Sequence, residues 1–290
     1  MFRDVTFGQY YHANSFVHKM DARIKLVLVL LYMVGIFFVV SFMGFAFITV
    51  FLLTVIIVSR VPLKSVLKSI KGIIFLLALT AILNIFFYTG KEPPLVNWEM
   101  WKGGWTITIY KEGLIFAAKM LLRLIYLVIG SSILTLTTTP VDLTHAVESL
   151  LKPLRLIKFP VHEFALIMSL TLSFIPSLIE ETDRIIRAQK ARGADFDTGG
   201  LVKRAKAFVP ILIPLLVGGF RRAEELANAM NSRCYEGAKK RTQMRVMKLT
   251  WRDAVGVIFM LVFFVTIFVL YGMKGTWGSL PSLNWLYFGM

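Results

Sequence analysis

Apolar residues run through the chain in long blocks separated by short polar stretches. Residues 24–58 are nearly all apolar, from IKLVLVLLYMVGIFFVV to SFMGFAFITVFLLTVIIVS. A bilayer core about 30 Å thick needs roughly 20 apolar residues at 1.5 Å each. That block is too long for one helix and predicts two spans with a tight turn near Ser41–Gly44. A third span is expected over Gly72–Tyr88, a fourth over Gly113–Thr139 and a last over Asp253–Tyr271. Two further stretches are shorter: Phe164–Ile179 contains Pro176, and Ala207–Phe220 contains Pro210 and Pro214. Both fall short of a full span and read as cytoplasmic or interfacial helices. Their crossing would raise the spans from five to seven.

Composition agrees with the pattern. The 290 residues are 57% hydrophobic and only 17% charged, where a soluble domain carries about 25% charged residues. A disordered chain and an ordinary water-soluble enzyme are excluded, and a polytopic all-α membrane protein is expected. The net charge of +16 raises nucleic acid or a membrane surface as partners, and position separates the two. Of the 33 Lys and Arg, 27 lie in residues 1–25, 59–71 and 140–252. With five spans these all fall on one side, which the positive-inside rule makes cytoplasmic together with the N-terminus. The segment 89–112 falls on the opposite side, its Trp98, Trp101 and Trp105 reading as interfacial anchors. The C-terminal tail is then extracellular. Three regions follow: residues 1–139 with four spans, a cytoplasmic segment 140–252, and residues 253–290 with the last span and tail. No cleavable signal peptide is read at the N-terminus.

The cytoplasmic segment carries the distinctive chemistry. Thr139-Pro140-Val141-Asp142 has the form of a helix start, and Leu143, Val147, Leu150 and Leu154 follow as one apolar stripe until Pro153 bends or ends that helix. A second helix is expected from Pro160 to Arg192, kinked at Pro176, and a third from Pro210 to Arg233. The two long helices close alike, on Ala191-Arg192-Gly193 and on Ser232-Arg233-Cys234. An Arg at a helix C-terminus opposes the dipole for a few tenths to about 1 kcal/mol. It also suits docking, because a guanidinium at a helix tip reaches into an acidic groove with bidentate bonds. Gly219, Ala223, Ala227 and Met230 form a small-residue stripe that admits close helix approach, either between the two helices or to a partner. Glu180, Glu181 and Asp183 read as a solvated face or as groups that orient the first long helix.

On these residues the chain resembles the transmembrane (T) component of energy-coupling factor transporters, the EcfT/CbiQ family. The likeness covers nearly the whole chain: Asp21-Ala22-Arg23-Ile24-Lys25-Leu26, Thr137-Thr138-Thr139-Pro140, Phe174-Ile175-Pro176, and above all Ala188-Gln-x-Ala-Arg192-Gly193 and Ala229-Met-x-Ser-Arg233. The resemblance implies that Arg192 and Arg233 dock on two P-loop ATPase subunits, with Ala191, Gly193, Ser232 and Cys234 completing the motifs. It also implies that the helix surfaces around Gly219, Ala223, Ala227 and Met230 grip one membrane substrate-binding (S) subunit. The function implied is a non-catalytic coupling subunit of an ABC-type importer for a vitamin or other micronutrient. It would sit in a bacterial or archaeal cytoplasmic membrane, bind no cofactor itself, and leave ATP and Mg to its partners. Cys234 stands where the second motif more commonly has Gly, which places the geometry of that helix end in question.

No P-loop G-x-x-x-x-G-K-[ST], no G-x-S-x-G and no paired metal-ligand histidines occur. Cys234 is the single cysteine, and His12, His18, His145 and His162 read as structural or surface residues. Lys119 and Arg123 lie one turn apart in the fourth span; Lys119 can snorkel outward, and Arg123 is a candidate for an intramembrane structural pair. A stand-alone membrane enzyme or a secondary transporter remains the alternative. The first needs converging polar residues at bilayer depth, and the second needs internal repeats.

Overall fold

A computed structural model of the chain describes residues 10–87, 96–99, 106–153, 160–194, 196, 200–235 and 249–272. The first elements are α1 (Ala22–Phe37), α2 (Phe42–Ser59), α3 (Leu63–Lys71), α4 (Ile74–Phe87), β1 (Val96–Glu99) and β2 (Thr106–Ile109). They are followed by α5 (Lys111–Thr137), α6 (Pro140–Leu151), α7 (Val161–Ala191), α8 (Leu201–Ser232) and α9 (Trp251–Gly272). The architecture is all-α and polytopic, with one small antiparallel hairpin pairing Val96 with Ile109 and Glu99 with Thr106. The described residues form two compact units, one from 10–139 and 249–272, the other from 140–235.

In the first unit, the oily block 24–58 is divided as its length demands. Asp21 caps α1 by accepting the Arg23 N–H at 2.9 Å, and Ser41 caps α2 by accepting the Gly44 N–H at 3.1 Å. The turn therefore lies over 38–41, just ahead of the expected place, and Gly44 belongs to the first turn of α2. Around α1, α2, α5 and α9 gathers an aromatic core in which Phe263 is fully buried. Its ring lies 4.4 Å from Phe51 and 5.7 Å from Tyr32. Tyr32 donates to the Tyr126 carbonyl at 3.2 Å. That approach needs Gly130, where a Cβ would stand 2.4 Å from the Tyr32 ring. Small residues at helix contacts allow this closeness in a membrane bundle.

Several polar side chains of the bundle find partners inside it, although Ser59 Oγ and Arg123 Nε are buried without a hydrogen bond. Arg123 donates through Nη2 to the Val39 carbonyl at 3.0 Å and lies 5.7 Å from the Phe37 ring, so it ties α5 to the orphan carbonyls after α1. Lys119 does not reach outward: it is buried, its ammonium 5.1 Å from the Phe42 ring centre. Asp253 is buried and accepts the backbone N–H groups of Asp21 at 2.8 Å and Thr250 at 2.7 Å, joining the starts of α1 and α9. His18 donates from Nε2 to the Tyr11 carbonyl and takes the Ser15 hydroxyl on Nδ1. Burial of the ring pushes its pKa below the ordinary histidine value.

Several expectations change. By length and composition, α2, α5, α7 and α9 are each able to cross a membrane, and α3 with α4 would make a fifth span bent by 57°. α1, with 16 residues, spans about 24 Å and is shorter than expected of a crossing helix. α7 passes because it continues unbroken through Pro176 to 31 residues. α8 begins at Leu201, nine residues ahead of Pro210, and absorbs both Pro210 and Pro214. The helix α3 and the hairpin were not expected. The stripe on α6 also shifts: Ala146 is its buried residue, Leu150 is exposed, and Leu154 lies outside the described residues, as do Trp101 and Trp105.

Candidate docking site

The second unit holds the two motif-bearing helices, and their ends are built the same way. α7 stops at Ala191 with Arg192 as its cap residue (φ −86°, ψ 6°), and α8 stops at Ser232 with Arg233 as its cap residue (φ −95°, ψ 13°). Gly193 follows at φ +86° and Cys234 at φ +54°. The Gly193 N–H reaches the Lys190 carbonyl at 3.0 Å and the Ala194 N–H the Gln189 carbonyl at 3.0 Å. In α8, the Cys234 N–H reaches the Asn231 carbonyl at 2.9 Å and the Tyr235 N–H the Met230 carbonyl at 3.1 Å. This is the Schellman pattern, which satisfies carbonyls left open at a helix C-terminus and turns the chain sharply away. Cys234 therefore keeps the geometry in question by taking a left-handed conformation that side chains disfavour.

The sharp turns leave Ala191, Arg192, Gly193, Ser232, Arg233 and Cys234 all exposed. Each guanidinium thus starts solvated at the tip of a helix, beside carbonyls whose dipole favours a cation. Ser232 is tied back to its own helix, donating to the Asn228 carbonyl at 2.8 Å.

A polar clamp joins α7 and α8 through Glu181, one of the carboxylates read as able to orient the first long helix, and through Ser177 and Arg222, which that reading missed. Arg222 of α8 donates through Nη1 to Ser177 at 2.7 Å and through Nη2 to Glu181 of α7. Gly218 leaves room for that carboxylate, since a Cβ there would stand 3.0 Å from Glu181 Oε1. The face of α8 toward α7 is thus the one carrying Gly218 and Arg222. The small-residue stripe lies beside it: a Cβ at Gly219 would meet nothing within 4 Å, Ala223 and Ala227 are exposed, and Met230 is half-buried. Gly219, Ala223 and Ala227 thus lie open. Upstream, Leu212, Ile213, Leu216, Val217 and Phe220 are 52–75% exposed.

A second polar group joins α6 to α7. Glu148 lies 3.6 Å from His145 and 3.5 Å from His162. Among the described residues no three His, Cys, Asp or Glu side chains are placed to hold a metal ion.

Comparison with known proteins places these motifs in a family. The model of a family described as cobalt transport protein (CbiQ) matches residues 13–244, which takes in both helix ends. The chain belongs to the EcfT/CbiQ family. It is 48% identical over 262 residues to the energy-coupling factor transporter transmembrane protein EcfT of Clostridium kluyveri, covering 90% of this chain and 95% of the relative. It is 45% identical over 264 residues to the protein of that name from Ruminiclostridium cellulolyticum, covering 90% and 96%. With that of Bacillus subtilis it shares 38% over 270 residues, covering 93% and 99%. As a member of the EcfT/CbiQ family the chain is a multi-pass membrane component of a transporter, not itself a catalyst.

Proposed function

We propose that the chain couples ATP hydrolysis by partner subunits to substrate uptake, with Arg192 and Arg233 as the docking points. Each arginine would enter an acidic groove on one of two P-loop ATPase subunits, which bind the ATP and Mg. The exposed apolar face of α8 and the stripe Gly219, Ala223, Ala227 and Met230 would hold a membrane subunit that binds a vitamin or other micronutrient. The segment bearing the two arginines would lie on the cytoplasmic side with the N-terminus, as the distribution of Lys and Arg favours. At 1.5 Å per residue, the 31 residues of α7 and 32 of α8 run about 46 and 48 Å. Helices of that length can carry a displacement from a nucleotide site toward the bilayer.

The observation that carries this reading is the repetition. Two helices end in the same hydrogen-bonded turn, and each presents an exposed Arg at the same cap position. Dipole compensation alone accounts for an Arg near a helix end, but it does not require the same cap position on both. The test is the double variant Arg192→Glu with Arg233→Glu, expressed with its ATPase partners. Loss of ATPase recruitment and of uptake is expected, with the chain still present in the membrane. Full recruitment and uptake would leave the arginines as helix-dipole partners and remove the docking role.

A further inference from the structure

Between α1, α2, α5 and α9 of the bundle lies a cavity of about 260 Å³. Its wall includes Met20, Leu28, Val55, Ile133, Gly256 and Phe259, and it reaches inward to Tyr32, Gly130 and Met260. The lining is almost wholly apolar. Its charged member, Lys25, turns its ammonium to the carbonyls of Thr137 at 3.0 Å and His18 at 3.3 Å. Water has no partners to gain in such a space, and apolar cavities of this kind stay dry or take apolar guests.

The cavity sits at one end of the bundle. Its lining begins near the starts of α1 and α9 and the ends of α2 and α5, where Lys25, Val255, Val58 and Thr137 lie, and runs toward the middle of the helices. Basic residues stand next to the lining in the chain: Lys19 adjoins Met20, Arg23 precedes Lys25, Arg60 follows Val58 by two, and Arg252 precedes Val255. Asp21, 3.9 Å from Arg23, and Asp253 offset part of that charge, but with Lys25 the bases outnumber the acids five to two. The end of the cavity is therefore cationic and its depth is oily, which is the polarity of an anionic amphiphile.

We propose that this cavity takes one acyl chain of an anionic phospholipid, with the phosphate held at the basic rim. The chain enters from the surrounding leaflet and fills the space between α1 and α9 that the helices' own side chains leave open. Each buried methylene favours the bound state, and basic pockets between transmembrane helices are suited to lipid headgroups. A polar solute would leave its hydrogen bonds unmade there.

The experiment uses the full chain in phosphatidylcholine vesicles doped with phosphatidylglycerol that carries a diazirine near the end of one acyl chain. After illumination, labelled residues are mapped by mass spectrometry. Met260 and Ile133 are only 4–5% exposed, whereas Phe75 and Phe87 on α4 are 79–80% exposed and meet any lipid. Strong labelling at Met260 and Ile133 is expected, and labelling confined to exposed residues such as Phe75 and Phe87 overturns the proposal. Val55→Trp fills the cavity and should cut labelling at Met260 roughly tenfold, the loss when about two methylenes are denied burial. Phe75 labelling should hold and serve as the folding control, with Ile133→Phe as a milder filler should that control fail. Lys19→Glu with Arg60→Glu should abolish the preference for phosphatidylglycerol over a phosphatidylcholine bearing the same probe. Equal labelling by both lipids in the unmodified chain, or indifference to cavity filling, refutes the site.

Discussion

The bundle and the long-helix unit both contain long apolar runs, yet they use that surface differently. α2, with 18 residues, buries Phe45, Ile48, Leu52 and Ile56 in the aromatic core, and the outward faces of α4 and α9 are apolar along their whole length. α8, with 32 residues, buries Ile211 and leaves Leu212, Ile213, Leu216, Val217 and Phe220 exposed. Beyond Phe220 its surface turns abruptly to Arg221, Arg222, Glu224 and Glu225. A fully lipid-facing helix stays apolar throughout, because charges at bilayer depth are costly. A helix whose apolar run gives way within one turn to four charges is matched neither to lipid alone nor to water alone. The bundle turns Arg123, Asp253 and Lys25 onto its own backbone, while α8 leaves Arg221, Glu224 and Glu225 exposed. That contrast separates a packed scaffold from an open surface.

Truncating one large aromatic in each region breaks the comparison most directly. Phe263→Ala removes a fully buried ring packed on Phe51 and Tyr32 and should destabilise the chain by about 3–5 kcal/mol. Phe220→Ala, at a residue 75% exposed, should stay within about 0.5 kcal/mol. Thermal unfolding in detergent measures both. A cost at Phe220 rivalling that at Phe263 would mean α8 is packed as a core helix, and the contrast would fall. A smaller effect is expected at the clamp. Arg222→Met leaves Glu181 without its guanidinium partner, and because both side chains are about a third exposed or less the loss should be about 1 kcal/mol. Hydrogen exchange should quicken around Ser177–Glu181 and Gly218–Arg222 while the bundle is unchanged. Unaltered exchange there would show that apolar contacts alone hold α7 to α8.

What the sequence made legible was whatever lies within a turn or two of its cause. The break between α1 and α2 follows from a block too long for one helix and a capping Ser41. The ends of α7 and α8 follow from small-Arg-Gly and small-Arg-Cys closings. What remained hidden depends on distant partners or weak local signals. The clamp joins residues 41 positions apart, and Glu181 belongs to a charge cluster that reads equally as a solvated face. The early start of α8 was masked by Pro210 and Pro214, each of which forbids one helical hydrogen bond yet does not stop a long helix. The hairpin Val96–Glu99 with Thr106–Ile109 rests on two four-residue strands, too short for alternation to stand out. Among the candidate site residues, the arginines were visible by motif, whereas the outward turn of the stripe around Gly219 was not. Spacing fixes which residues share a helix face but not what that face meets.

The smallest predicted effect tests the likeness of the two helix ends. Cys234 holds φ +54° where Gly193 holds φ +86°, and a left-handed backbone costs a non-glycine residue about 1–2 kcal/mol. Cys234→Gly relieves that strain but gives the unfolded chain more freedom, which returns about 0.4–1 kcal/mol. The net gain should be a few tenths to about 1 kcal/mol, and it should be local. Amide exchange of Tyr235 and of residue 234 should slow, because their N–H groups close the turn onto the Met230 and Asn231 carbonyls. Cys234→Val should do the opposite, since β-branching adds to the steric cost of positive φ. Both variants leave Arg233 in place, so partner recruitment should follow the order Gly, Cys, Val only if docking needs the turn held as well as the charge present. Equal recruitment by all three would mean that the charge alone suffices at this end. The rigid cap shared with Gly193 would then be a property of how the helix stops and not of how it docks.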